Sequence, residues 1–101
     1  MDKLVNIHGR EYRLHYGLRS FFVYESITGK PFEAGKTINL YTLEYAMILA
    51  SNKDVTLEFT EFIDACDEDQ SIFITFMELM NDAIKMAQQF SDGKKKAVEK
   101  R

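Results

Sequence analysis

The sequence predicts a mainly α domain that opens with a β-hairpin (residues 4–16) and continues into three to four helices. Two observations carry this. Residues 4–16, LVNIHGREYRLHY, alternate apolar and polar positions with period two. From residue 17 onward the apolar spacing changes to three and four, and a single proline, Pro31, interrupts it. With 101 residues, 46% of them hydrophobic, one core forms without a metal or disulfide staple.

In the hairpin, Gly9-Arg10 is read as a two-residue turn with glycine first. That register sets Ile7 opposite Tyr12 and Val5 opposite Leu14 on one face. Asn6, His8, Glu11, Arg13 and His15 fall on the other. A lone hairpin is unstable in water, so helices must cover its apolar face.

The first helix spans 17–28, GLRSFFVYESIT, with Leu18, Phe21, Phe22 and the Val23/Ile27 edge on the inward face and Arg19, Ser20, Glu25 and Ser26 elsewhere. Gly29 ends it in the left-handed cap position. Pro31 cannot continue a helix and biases Lys30 to extended geometry, which places Phe32 to fold back. Asn39 or Thr37 caps the second helix, 40–51, which is apolar nearly all round and therefore central or buried in an interface. Thr56 or Thr60 caps a short helix at 57–66, with Phe59, Phe62 and Ile63 inward.

The last helix, 70–90, carries two apolar lines. Residues 72, 76, 79, 83, 86 and 90 step four and three, a coiled-coil rhythm, and 73, 77, 80, 84 and 87 lie beside them. Two lines need two partners: one is the domain core, the other a second subunit or a client. Phe73, Met77, Met80, Ile84, Met86 and Phe90 are the candidate partner-binding residues, because thioethers and aromatics re-pack against varied surfaces. Residues 1–92 read as one helical domain and 93–101 as a disordered basic tail.

Charge narrows the function. Residues 1–93 hold 8 basic and 15 acidic groups, a net of −7, whereas the last eight residues, KKKAVEKR, hold five cations and one acid. An acidic body argues against nucleic-acid binding, which runs on phosphate neutralisation, and leaves only the short tail for it. No apolar run approaches the ~18 residues of a membrane span. The start, MDKLVNIHGREY, lacks a signal-peptide layout. A single cysteine, Cys66, fits a reducing compartment. A soluble cytoplasmic protein is expected.

Chemistry-bearing motifs are thin. Residues 67–78, DEDQSIFITFME, put Asp67, Asp69, Ser71 and Glu78 at calcium-loop positions, which makes a calcium-responsive helical module the second reading. Ile72 occupies the position that needs glycine, and helical patterning runs through the loop, so Asp67 and Asp69 read better as N-terminal helix carboxylates. Gly29-Lys30 lacks the upstream glycine of a phosphate loop and ends a helix instead of starting one. His8 and His15 are not paired, and the carboxylates from Glu58 to Asp69 read as a solvated face. The expectation is a protein that is not an enzyme and takes no cofactor or metal.

Three segments together are similar to the small tail assembly chaperones of long-tailed (siphovirus-type) bacteriophages. The run Tyr24-Glu25-Ser26-Ile27-Thr28-Gly29-Lys30-Pro31-Phe32 resembles a YExxTGKPF-like stretch that follows a short helix in that family. The apolar helix at 40–50 follows, and Glu61-Phe62-Ile63-Asp64 resembles the segment that leads into a long C-terminal helix. The likeness covers residues 12–80. It implies a non-enzymatic helper that binds the tape-measure protein, keeps its apolar helices soluble and hands over to the tail-tube protein. It also implies self-association in the bacterial host cytoplasm, absence from the mature virion, and a longer form made by frameshifting near Gly93–Lys96.

Overall fold

The computed structural model describes the backbone of residues 2–99 and the side chains of residues 2–89. It is mainly α with an N-terminal antiparallel hairpin: β1 (Asp2–Ile7), β2 (Arg10–His15), α1 (Leu18–Thr28), α2 (Thr37–Ser51), α3 (Phe59–Glu68) and α4 (Ser71–Glu99).

The hairpin buries Val5, Ile7, Tyr12 and Leu14 on one face, as the alternation requires. Its register differs from the sequence expectation by two residues: Val5 pairs with Tyr12, Ile7 with Arg10 and Lys3 with Leu14. The turn is His8-Gly9, both left-handed (φ 51° and 82°), the type I′ geometry whose twist suits flanking strands. The Asn6 side chain stabilises it by accepting the Gly9 N–H at 3.1 Å. A shift of two keeps every side chain on its face.

α2 is the central element, in contact with α1, β2, α3 and α4. Leu43, Ala46, Met47 and Ile48 are fully buried, each large side chain contributing about 1.5–3 kcal/mol. The helix starts at Thr37 after Lys36, with no side-chain cap, and Asn39 instead donates to the Glu33 carbonyl. At its C-terminal end, Asn52 behaves like one more strand residue. Its Oδ1 accepts the Arg13 N–H and its Nδ2 donates to the Arg13 carbonyl, both at 2.9 Å. This satisfies the outer edge of β2 and clamps the hairpin to α2.

α1 keeps only part of its expected face: Phe21 and Val23 pack against the core as the spacing implies. Ser20 and Tyr24 are buried, whereas Leu18, Phe22 and Ile27 are exposed. The cause is the Ser20 hydroxyl, which donates to the His15 carbonyl at the strand–helix junction and pins that side inward. Gly29 caps the helix with φ 73°, its N–H bonded to the Glu25 carbonyl. Phe32 returns to pack edge-on against Tyr24 and Phe21, at 5.4 and 6.0 Å between centroids. α3 is capped by Glu58 with Glu61 in a capping box, not by Thr56 or Thr60.

α4 lies against β1 and alongside α2 and α3. Its helical backbone continues to Glu99, through most of the basic segment expected as a tail from 93 onward.

Candidate partner-binding surface

α4 resolves its two apolar lines by burial. Ile72, Phe76, Leu79 and Ala83 form the core line, and Met80, 8% exposed, turns inward with them. Phe73 and Met77 are half-buried at the margin of the core. Past Ala83 every described side chain of the helix is exposed, because the body beneath it ends there. Ile84, 47% exposed, prolongs the Phe73–Met77 line, and Met86, 59% exposed, prolongs the core line. The six candidate residues therefore divide. Met80 belongs to the folded core, Phe73 and Met77 are marginal, and Ile84 and Met86 are open; the Phe90 side chain lies outside the described residues.

Beside this line is a cleft of about 360 Å³ between α2, α3 and the start of α4. Tyr41 and Phe73 stack at its wall, Ile63 and Ile74 add apolar surface, and Asp64 and Asp67 supply charge. Among the described residues no ion pair engages Glu58, Glu61, Asp64, Asp67, Glu68 or Asp69. Asp69 caps α4 by accepting the Ser71 N–H at 3.0 Å, whereas Asp67 sits in the last turn of α3, so only one of the two acts as an N-terminal carboxylate. Residues 67–78 form the end of one helix, a two-residue link and the start of the next. Among the described residues no group of three or more His, Cys, Asp or Glu is placed to hold a metal ion.

One residue that sequence reasoning missed lies in the core, three positions along α2 from Tyr41. Glu44, on α2, is 0% exposed, and neither carboxylate oxygen has a hydrogen-bond partner. Burial pushes its pKa up to about 9, so the group is a neutral acid near pH 7. Burial raises the pKa values of two cleft residues, Tyr41 and Cys66, and the Glu44 charge, when present, adds to both. Burial, then Glu44 and Asp69, hold the Cys66 thiol at about 12, far from a reactive thiolate. The signal was in the sequence: Glu44 is the one charged residue type in TINLYTLEYAMILAS.

Other apolar side chains reach the surface on α1 and at the start of α2, where Leu18, Phe22 and Ile38 are exposed. His15 and Arg13 are engaged with Asp2 at 2.5 and 2.6 Å, which draws the Asp2 carboxyl below its ordinary range, the His15 hydrogen bond being the main cause. No described helix is long and apolar enough to cross a membrane. Comparison with family models, with curated proteins and with solved structures returns no match.

Proposed function

We propose that this protein is a non-enzymatic assembly chaperone that captures amphipathic helices on α4, in the manner of the phage tail assembly chaperones its sequence resembles. The observation that carries the reading is the uncovered apolar part of α4. Ile84 and Met86 stand on a helix that outruns its own core, flanked by half-buried Phe73 and Met77. A helix with uncovered apolar lines gains by laying them against another helix, and exposed thioether and branched aliphatic groups accept varied sequences. In this reading the clients are the tape-measure protein and then the tail-tube protein, met in the bacterial host cytoplasm and left behind when the virion is complete. Self-association through the same lines keeps the free protein soluble.

Co-production of the chain with a tape-measure protein tests this. The reading expects the tape-measure protein to move from the insoluble to the soluble fraction and to co-purify with the chain. An insoluble tape-measure protein alongside abundant, folded chain contradicts it.

A further inference from the structure

α4 is longer than the body that supports it. The core beneath it ends at Ala83, yet its backbone stays helical to Glu99, so residues 84–99 carry the helix about 24 Å beyond that point. A helical stretch of that length, holding Gly93, is marginal in water unless another surface covers it.

The uncovered line has a defined charge at each end. Phe73 begins it, at the cleft where Asp64 and Asp67 stand on α3. Neither acid has an ion-pair partner among the described residues. Lys94, Lys95 and Lys96 follow at the other end. Ile84, 47% exposed, is the midpoint, eleven residues after Phe73 and eleven before Lys95. Eleven residues make about three turns, so the three positions share one face of α4 at intervals of about 16 Å. Positions 73 and 95 are therefore about 33 Å apart along one helix, and the chain's own lysines do not reach its own cleft.

We propose that two copies of the chain pair through α4, antiparallel about a two-fold axis at Ile84, each laying its Lys94–Lys96 turn beside the Asp64 and Asp67 of the other. The occupant is a second copy because the line is complementary to itself in that direction alone. Antiparallel pairing brings a basic turn to an acidic cleft twice, whereas parallel pairing sets acid on acid and base on base. The arrangement is closed and stops at two chains. The proposal rests on the reading of α4 as a binding helix and names the partner that holds its line before a client does. A client helix then displaces a copy, so capture is linked to dissociation of the dimer.

Sedimentation of the full chain tests this, with the fold of each variant checked by circular dichroism. The parent should be a dimer at micromolar concentration. Asp64 and Asp67 are exposed, so reversing their charge leaves the core alone. Asp64→Lys with Asp67→Lys should weaken dimerisation at least tenfold, and so, separately, should Lys94→Glu, Lys95→Glu and Lys96→Glu together. All five substitutions in one chain should restore it, because the antiparallel pairs form again with their signs exchanged. Ile84→Cys should be joined to its counterpart by a short bismaleimide, and the parent, whose cysteine is buried, should not. A monomeric parent, charge reversals at one end that leave the dimer unchanged, a five-substitution chain no tighter than either parent variant, or no cross-link at residue 84 overturns the proposal. A dimer with these properties that captures no tape-measure segment removes the chaperone reading and leaves the dimer standing. Capture by a chain that is monomeric at every concentration does the opposite.

Discussion

Tyr41 of α2 and Phe73 of α4 lie face to face, 4.0 Å between ring centroids and 13° from parallel. The pair closes the hydrophobic core on one side and walls the acidic cleft on the other, so the core and the candidate surface share a boundary. Phe73→Ala removes the stack and leaves Tyr41 partly uncovered. Because Phe73 is only half-buried, the expected cost is about 2 kcal/mol, below that of emptying a full core position. Urea unfolding at constant slope measures it, and Phe73→Leu should recover most of the loss.

Glu44 gives the fold a pH dependence of defined sign. Its folded pKa is raised, so the folded state holds a proton that the unfolded chain releases. The stability linked to it is fully present below the ordinary carboxylate pKa of 4.5 and is lost as pH rises toward about 9. Across that window the slope from this group is about 1.4 kcal/mol per pH unit. Glu44→Gln should remove that slope and leave a variant more stable than the parent at neutral pH. Parallel slopes in the two proteins would show that the carboxyl is solvated or paired.

Gly29 ends α1 at φ 73°, with nothing within 4 Å of where a Cβ would stand. The cost of Gly29→Ala is therefore backbone strain without a clash, about 1 kcal/mol. Gly29→Asn, which tolerates the left-handed region, should cost less. Thermal midpoints of the two variants order the effects.

Cys66 is held as a thiol by burial and by the acids Glu44 and Asp69. Thiol-specific reagents near neutral pH should react with the folded protein far more slowly than with the chain in concentrated urea. Equal rates would place the side chain at the surface.

Much of the fold is legible in the sequence because its signals are geometric. Period two fixes which hairpin side chains face inward even though the register shifts by two, and Gly29 with Pro31 marks the end of α1. What escaped depends on tertiary context. The turn uses His8 at positive φ, a conformation uncommon for any residue but glycine, and the glycine-first turn at Gly9-Arg10 read more simply. On α1 the expected Phe21 and Val23 do pack on the core, but Ser20, whose hydroxyl bonds the His15 carbonyl, and Tyr24 are buried where the apolar spacing pointed to Leu18, Phe22 and Ile27. The two lines of α4 are equally apolar in sequence. Only the position of β1 beneath the helix, and the end of the core at Ala83, separates Met80 from Ile84 and Met86. Glu44 was visible as a lone acid in an apolar helix, but its lack of a partner is a property of the packed core.

That separation also sets how the surface must be probed. Met80→Asp buries a charge in the core and should unfold the chain, so loss of binding by that variant reports stability alone. Ile84 and Met86 are exposed, and substitution there should leave the fold intact.

The most direct test is therefore the binding of a tape-measure protein segment to the double variant Ile84→Asp, Met86→Asp, with folding checked by circular dichroism and thermal midpoint. The account predicts a folded protein with capture reduced at least tenfold, because two exposed apolar anchors are replaced by charges. A folded double variant that binds the segment as tightly as the parent contradicts it and moves the interface off α4.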